Sequence, residues 1–313
     1  MNYSKIALKV LAAKECGLIK TNAQFWGKFE NREVFEEEIG KDGRVIEVYE
    51  RISQEIELSE NEGIICIYDD EFPIINKNVK NNGDKPFLLF YKGDISLLND
   101  LNKNVAVIGV IDPDNEIIKR ESHIIKKLVE NELVVVSGLA LGCDSVAHKE
   151  CLNNNGKTIA ILPSQVGKIF PTENRELAIN IVEKGGLLIS EYYRDPVTKY
   201  DAINRFIERD RLQAMFSKAI ILVASYRKGE GDSGSRHAME AAKKYKIERY
   251  AMYNKILDET NNKFGLNKDL ISLEEDEKIK VLLASSINEI KEIKNSNLLK
   301  SRNVDNIEQL KLL

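Results

Sequence analysis

Turns that follow short apolar runs carry the residues of this chain that could bind an anion. Gly109 follows the run 105–108, Ser137 and Gly138 close the run 134–137, and Ser233, Gly234 and Ser235 come after the run 219–223. Small residues and hydroxyls at a helix start let backbone N–H groups approach a phosphate, and the helix dipole favours negative charge. Each turn alone is also typical of an ordinary N-cap. Two such turns at one sheet edge would together predict an anion-binding site.

Motifs for several familiar chemistries are missing from the sequence. It contains no GxxxxGK[ST], no GxGxxG after the first parallel strand and no GxSxG, which argues against a P-loop, an ordinary dinucleotide site and an α/β-hydrolase. The four cysteines (16, 66, 143 and 151) and the three histidines (123, 148 and 237) are scattered. Their spacing predicts no metal site and no disulfide framework. We therefore expect no metal and no cofactor.

The elements that must position these turns follow a regular order. Nine apolar runs predict strands at 64–68, 87–91, 105–108, 134–137, 158–162, 187–190, 219–223, 249–253 and 281–284. Amphipathic stretches predict helices between them at 116–130, 145–153, 175–184, 202–216 and 235–245. Strand, helix and strand in this order indicate parallel strands with right-handed crossovers. We predict an α/β fold with a doubly wound, mainly parallel sheet, which binds ligands beyond the carboxyl ends of its strands.

Three regions are predicted along the chain of 313 residues. Residues 1–62 form a small helical domain with a break at Gly40–Gly43, residues 63–297 contain the sheet, and residues 298–313 form a helical tail. The segment Glu30–Glu62 is acidic, with twelve acids and four bases, whereas Asp201–Arg249 has eleven bases and seven acids. The second segment could therefore attract phosphate, although the formal net charge of the whole chain is −4.

The turn after the fourth predicted strand also carries a long and specific motif. Ser137, Gly138, Ala140, Gly142, Asp144, Ala147 and His148 resemble the SGxAxGxDxxAH signature of the DNA-processing protein A family (DprA, also called Smf). Further segments follow in the family's order: 170–174 resembles YPxxN, 190–192 SEY, 206–211 FPxRNR, 233–235 SGS, and 265–271 GxNxLI with one extra residue. The resemblance covers roughly residues 63 to 297, and the chain is similar to a divergent member.

The resemblance implies an extended Rossmann domain that binds single-stranded DNA without catalysis. Family members dimerise and help to load the recombinase RecA onto that DNA during natural transformation. By this resemblance the expected DNA- or phosphate-binding residues are Gly109, Ser137, Gly138, Asn174, Arg209, Arg211, Ser233, Gly234 and Ser235. The partners implied are single-stranded DNA, a RecA-type recombinase and a second copy of the chain.

The sequence departs from the family pattern at positions where a cation is expected. Ile111 and Leu141 each stand where the family has arginine, and in the FPxRNR segment Ile207 replaces proline and Asp210 replaces asparagine. Loss of two phosphate-facing cations should weaken affinity and flatten its salt dependence. Other basic residues that could substitute for them are Lys119, Arg120, Arg205, Arg227, Lys228 and Arg236.

Single side chains of these motifs allow two interpretations each. His148 is either a core histidine or a base, and Asp144 either caps a helix that begins at Ser145 or organises the loop before it. Glu191 is either an anchor for a nearby arginine or a ligand contact. Arg209 and Arg211 lie on opposite sides of a helix or turn, so at most one of them should face the pocket.

Two other functions compete with DNA binding. A nucleotide-binding sensor would use the same edge of a related sheet, and the loss of cations suits a smaller ligand. A nucleotide N-glycosidase needs a PGGxGTxxE loop, but the acid nearest to Ser235 is Glu240, at the wrong spacing. A third alternative is a protein-interaction component with a decayed pocket. The apolar runs are too short to span a bilayer, and no signal peptide is found, so we expect a cytoplasmic protein.

Overall fold

Four short helices form the N-terminal part of the chain. The computed structural model describes residues 3–56, 58–231, 234–272 and 279–298. The helices are α1 (Lys5–Glu15), α2 (Asn22–Lys28), α3 (Arg32–Glu38) and α4 (Gly43–Glu55). Each begins after a polar side chain that accepts a hydrogen bond from a first-turn N–H group: Ser4, Thr21, Asn31 and Asp42. The predicted break at Gly40–Gly43 lies between α3 and α4.

The strands of the described residues form one sheet. They are β1 (Glu62–Cys66), β2 (Leu88–Gly93), β3 (Asn104–Ile108), β4 (Val134–Ser137), β5 (Thr158–Leu162), β6 (Leu187–Ser190), β7 (Ala219–Leu222), β8 (Glu248–Ala251) and β9 (Lys280–Val281). Their order is β1-β2-β6-β5-β4-β3-β7-β8-β9. β2 runs antiparallel to both of its neighbours, and the other pairs are parallel. The predicted doubly wound, mainly parallel sheet is confirmed.

Seven further helices of the described residues connect these strands or follow the last of them. They are α5 (Asn115–Glu130), α6 (Cys143–Asn153), α7 (Arg175–Glu183), α8 (Lys199–Met215), α9 (Ser235–Lys244), α10 (Gly265–Ile271) and α11 (Ser286–Glu292). One apolar core joins α5, α6 and α11 to Val105 and Val107 of β3, and another joins α8 and α9 to Ala106 and Ile108. Both faces of β3 are therefore buried, which explains its uninterrupted apolar sequence.

The N-terminal helices pack directly against one end of the sheet. Their apolar side chains share a core with Ile64 of β1 and Leu88 of β2, and the ring of Phe25 stacks on that of Phe87 with 4.2 Å between centroids. The domain boundary at residue 62 stays a prediction. Of the predicted tail 298–313, only the buried Leu298 lies within the described residues.

The centre of the sheet contains the point where the strand order reverses. The chain proceeds from β3 to β4 on one side, whereas β7, the other neighbour of β3, leads to β8 in the opposite direction. The loops that leave β3 and β7 therefore separate and open a crevice beyond the carboxyl ends of these strands. Such a switch point is where open α/β sheets bind ligands.

Candidate functional site

The crevice at the switch point has a volume of about 30 Å³, and three of the nine residues expected to bind phosphate line it: Gly109, Arg209 and Ser235. It is lined by residues from the loops after β3 and β4, from α8 and from the start of α9: Ile108, Gly109, Ile111, Ala140, Asp144, Arg209, Asp210, Gln213, Ser235 and Ala238. Gly138 contacts Arg209 at its floor. Residues far apart in sequence thus converge at one edge of the sheet.

The loop after β4 wraps around a carboxylate of its own chain. Oδ2 of Asp144 accepts hydrogen bonds from the N–H groups of Gly138, at 3.1 Å, and Ala140, at 3.3 Å. Asp144 lies in the first turn of α6, which begins at Cys143 after Gly142. It therefore organises the loop and does not cap a helix beginning at Ser145. The N–H group of Gly138, which was expected to face a phosphate, is thus paired with this carboxylate.

Arg209 of α8 lies directly above this loop. Its Nη1 atom is 3.7 Å from Oδ2 of Asp144, and its Nε atom is 3.3 Å from Oδ1 of Asp210. A Cβ atom at position 138 would lie 1.1 Å from Nη1 of Arg209, so the guanidinium occupies the space that the glycine leaves. The absent side chain of Gly138 therefore makes room for Arg209.

Several buried polar atoms of the crevice lack a hydrogen-bond partner among the described residues. They are Nε and Nη1 of Arg209 and Oε1 of Gln213, although both side chains are almost fully buried. A buried polar group without a partner is unfavourable, and a water molecule or a ligand atom is the usual explanation. Burial raises the pKa of the Asp144 carboxyl, and the charge of Arg209 opposes this increase. The floor of the crevice thus holds one guanidinium between two carboxyl groups.

The start of α9 forms the opposite wall. Gly234 has a φ of +82°, which favours glycine, and it precedes Ser235, the first residue of the helix. Oγ of Ser235 donates to the carbonyl oxygen of Gly109 at 3.3 Å. A Cβ atom at Gly109 would lie 2.6 Å from Sγ of Cys143, so this glycine is required by close packing. Ser233 lies outside the described residues.

Two other expected site residues support the loop from below. The Nδ2 atom of Asn174 donates to the carbonyl oxygens of Leu139, at 2.9 Å, and Ala140, at 3.1 Å. Oγ of Ser137 donates to the carbonyl oxygen of Val107 at 2.7 Å. Both side chains are buried. In this structure they position the loop, and their polar atoms are used within the chain.

Arg211 faces a different cavity from Arg209. Its Nη2 atom is 2.8 Å from Oε1 of Glu191, and its Nε atom donates to the carbonyl oxygen of Asp84 at 2.8 Å. Glu191 also accepts a hydrogen bond from Nδ2 of Asn22, at 3.3 Å, so it anchors the arginine. Only one arginine of the pair faces the crevice, as their opposite placement on the helix requires.

Most of the additional basic residues are engaged in ion pairs. Arg120 pairs with Asp258, Arg205 with Asp201, Arg227 with Asp269 and Arg236 with Glu240. The guanidinium of Arg205 also lies 4.3 Å from the ring centroid of Tyr192. Lys119, on α5, and Lys228, in the loop after β7, are exposed. The structure does not place any of these six side chains in the lining of the crevice.

His148 is buried and structural. Its Nδ1 atom is 2.7 Å from Oγ1 of Thr158, which itself donates to the carbonyl oxygen of Val135. The hydroxyl proton is thus used, so Nδ1 of the imidazole is the donor to Thr158. Burial, with a smaller contribution from the charge of Arg209, lowers the pKa of His148 to about 3. The imidazole is neutral at physiological pH, which agrees with the core interpretation.

Several apolar side chains of the loops and of α8 are exposed, and one of them, Ile111, lines the crevice. Ile111 is 57% exposed, Leu141 41% and Ile207 41%, and Phe170 packs edge-on against Phe206 of α8. Ile111 and Leu141 stand at the two positions where the family pattern has arginine. Ile111 forms an apolar border beside the guanidinium of Arg209, and such a border can hold flat, weakly polar groups.

The sequence interpretation did not assign Asp210 and Gln213 to the crevice. The signal for them was helical spacing, because positions 209, 210 and 213 fall on one face of α8. In the described part of the chain, no cluster of histidine, cysteine and acidic residues could hold a metal ion. None of the described helices has both the length and the apolar composition needed to cross a membrane.

Comparison with known proteins gives a family model and several relatives. Residues 63–299 match the model of the DNA recombination-mediator protein A family. The DNA processing protein DprA of Streptococcus pneumoniae is 34% identical over 177 residues, which are 56% of this chain and 58% of that protein. The chain spans about half the length of the curated relatives it matches.

Two solved structures share this fold. The X-ray structure of DNA processing protein A from Streptococcus pneumoniae superposes with a TM-score of 0.70 and 26% identity, covering 92% of this chain and 98% of that one. DNA processing protein A from Helicobacter pylori, described for its single-stranded DNA binding mode, gives a TM-score of 0.59 and 26% identity. This match covers 73% of this chain and 95% of that chain.

Proposed function

Because this chain belongs to the DNA recombination-mediator protein A family, we propose that it is a DNA-processing protein that binds single-stranded DNA at the switch-point crevice. The proposal rests on the buried guanidinium of Arg209 at the carboxyl edge of the sheet, whose Nε and Nη1 atoms face two carboxylates but have no hydrogen-bond partner among the described residues. The description of the Helicobacter pylori relative as a single-stranded DNA binder supports the choice of ligand.

The residues of the crevice support binding of both the phosphates and the bases of a single strand. Arg209 and the positive end of α9 favour a phosphate, whereas Asp144 and Asp210 oppose it. The exposed apolar border can hold the faces of unpaired bases. Duplex DNA hides those faces in its stacks, so we propose a preference for single strands. The adjacent carboxyl groups make the affinity moderate and the salt dependence shallow.

The proposed pathway, partner, oligomeric state and location rest on membership of the family. We propose that the chain acts in recombination or natural transformation beside a RecA-type recombinase, as a homodimer in the cytoplasm. We also propose that it holds DNA without a catalytic step and without a cofactor. The neutral, buried state of His148 supports this, since the histidine of the long motif lies in the core and away from solvent.

A nucleotide sensor remains the second candidate. The observation in its favour is the charge of the crevice, where one guanidinium faces two carboxyl groups, because a long polyanion would be repelled more than a small ligand. N-glycosidase chemistry has less support. Its candidate acid, Glu240, pairs with Arg236 and does not line the crevice.

Titration of a labelled single-stranded oligonucleotide, its duplex and a panel of mononucleotides at several salt concentrations separates these functions. DNA binding predicts that the single strand binds more tightly than the duplex. Two or three phosphate contacts give a slope of log K against log salt of about −1.5 to −2. A protein that ignores single strands at low salt but binds a mononucleotide tightly is a sensor.

A further inference from the structure

A groove of about 710 Å³ lies on the face of the sheet that carries α5 and α11. Its floor is aliphatic and comes from α5, from the residue after β8, from the segment between β9 and α11 and from α11 itself: Ile124, Met252, Leu282, Leu283, Ala284 and Ile287. Leu283 is 61% exposed, and it lines the groove together with Ile124 and Ile287, which belong to the buried core. Leu283 and the aliphatic floor together form one contiguous apolar surface, and such a surface indicates a contact site.

One edge of the groove is basic. Lys119, His123 and Lys126 of α5 follow the spacing i, i+4 and i+7, and therefore lie on one face of the helix. Their charged neighbours Arg120 and Lys127 are neutralised by Asp258 and Glu130.

The two lysines are the exposed cations that remain on this edge. Lys119 and Lys126 are both exposed, and no residue in the described ranges forms an ion pair with either. Glu150 of α6 contributes an acid to the lining. The groove as a whole is therefore positive at its edge and apolar at its floor.

We propose that this groove docks an acidic, amphipathic segment of a partner protein. Apolar side chains of the segment would enter the floor beside Leu283 and Ile287, and its carboxylates would meet Lys119 and Lys126. Amphipathic helices bind apolar grooves in this way, with charges at the rim selecting the partner and accelerating association. The proposal does not depend on DNA binding, since the groove and the crevice share no lining residue.

The same features argue against other occupants. Among the described residues no phenylalanine, tyrosine or tryptophan lines the groove, whereas sites for single strands stack bases mainly on such side chains. In a symmetric dimer through this surface, Lys119 and Lys126 of both copies would face the same basic edge and repel each other. An acidic segment meets neither difficulty, because it complements the charge and fills the aliphatic floor.

The test uses a fluorescein-labelled helical peptide of about 15 residues with leucines on one face and glutamates beside them. A twin peptide has lysine in place of every glutamate. In fluorescence anisotropy titrations of the labelled peptides with the full chain, the acidic peptide should bind at least about tenfold more tightly than its twin. The double variant Lys119→Glu, Lys126→Glu and the single variant Leu283→Asp should each weaken binding of the acidic peptide by a similar factor.

A matched control reverses two exposed lysines elsewhere, Lys77→Glu with Lys80→Glu, and should leave peptide binding unchanged. Circular dichroism confirms that each variant is folded. The proposal is overturned if the acidic peptide fails to bind at concentrations of about 1 mM, or if it binds all variants equally. It is also overturned if a single-stranded oligonucleotide displaces the peptide, or if Leu283→Asp dissociates a dimer without weakening peptide binding.

Discussion

Gly138 and Arg209 are in such close contact that a methyl group at position 138 would lie 1.1 Å from Nη1 of the arginine. The glycine directly follows β4 and the arginine belongs to α8, so this contact joins the loop after β4 to that helix. Asp144 completes the arrangement by accepting the N–H of Gly138 and facing the guanidinium. The position of Arg209 in the crevice therefore depends on the absence of a side chain at residue 138.

Replacement of this glycine tests that dependence. Gly138→Ala should displace the guanidinium of Arg209, lower the free energy of unfolding by about 1–3 kcal/mol and weaken binding of a single-stranded oligonucleotide. Urea denaturation and fluorescence anisotropy measure the two effects. Gly167→Ala is the control, because a Cβ atom there meets nothing within 4 Å. Equal free energies of unfolding and equal DNA affinities in the two variants would show that the contact between Gly138 and Arg209 contributes to neither.

Much of the fold follows from local sequence patterns, whereas the site depends on contacts that no pattern encodes. The uninterrupted run Val105–Ile108 predicts a buried strand because side chains on both of its faces are apolar. The antiparallel pairing of β2 was not predicted, since strand direction at a sheet edge depends on the path of long loops. Helical spacing correctly separates Arg209 from Arg211.

The internal carboxylate was the harder feature to predict. Asp144 lies four to six residues after the N–H groups that it accepts, and from the sequence it could equally have capped the helix. Whether a loop turns its N–H groups toward an internal acid or toward a ligand depends on the position of Arg209, which lies more than sixty residues later in the chain. Gly138 therefore packs against Arg209 in the structure, and its predicted contact with phosphate stays a prediction.

A second prediction concerns the acid beside Arg209. Asp210→Asn removes a negative charge from the crevice while keeping an oxygen that can accept the hydrogen bond from Nε2 of Gln213, which is 3.1 Å long in this structure. Less repulsion of phosphate should increase the affinity for a single strand about fivefold, which is roughly 1 kcal/mol. Asp195→Asn, which changes an exposed surface carboxylate, should have no effect. Lower affinity in the Asp210 variant would mean that the carboxylate itself contacts the ligand.

The apolar border gives a third prediction. Ile111 is 57% exposed and lines the crevice, so Ile111→Arg should add one phosphate contact. The slope of log K against log salt should become steeper by about 0.7, and affinity at low salt should rise. Ile179→Arg, on the exposed side of α7, is the matched control. An unchanged slope in the Ile111 variant would place the DNA backbone away from this border.

A buried glutamate behind the crevice gives the fourth prediction, which concerns pH. Both carboxyl oxygens of Glu121 lack hydrogen-bond partners among the described residues, and burial raises the pKa of this carboxyl well above its ordinary value. A folded-state pKa above the unfolded one means that the folded chain binds more protons, so stability falls as pH rises above about 4.3.

Glu121→Gln replaces this titratable carboxyl with an amide. The free energy of unfolding should therefore decline less between mildly acidic and mildly alkaline pH. We expect the variant to gain at least about 1 kcal/mol over the wild type across that interval. Urea denaturation at several pH values measures the gain. Glu116→Gln, on the exposed first turn of the same helix, is the control. Parallel pH profiles for the wild type and Glu121→Gln would show that the carboxyl is compensated.

A pair of variants on α8 tests whether single-stranded DNA binds at the crevice through Arg209. Arg209→Gln and Arg211→Gln each remove a guanidinium that faces a carboxylate and is at most 12% exposed, but of the two only Arg209 lines the crevice. Anisotropy titration of a labelled single-stranded oligonucleotide at fixed salt should show a loss of at least about tenfold for Arg209→Gln. Arg211→Gln should bind within about twofold of the wild type. Equal losses in the two variants, or full affinity in Arg209→Gln, would contradict binding through Arg209.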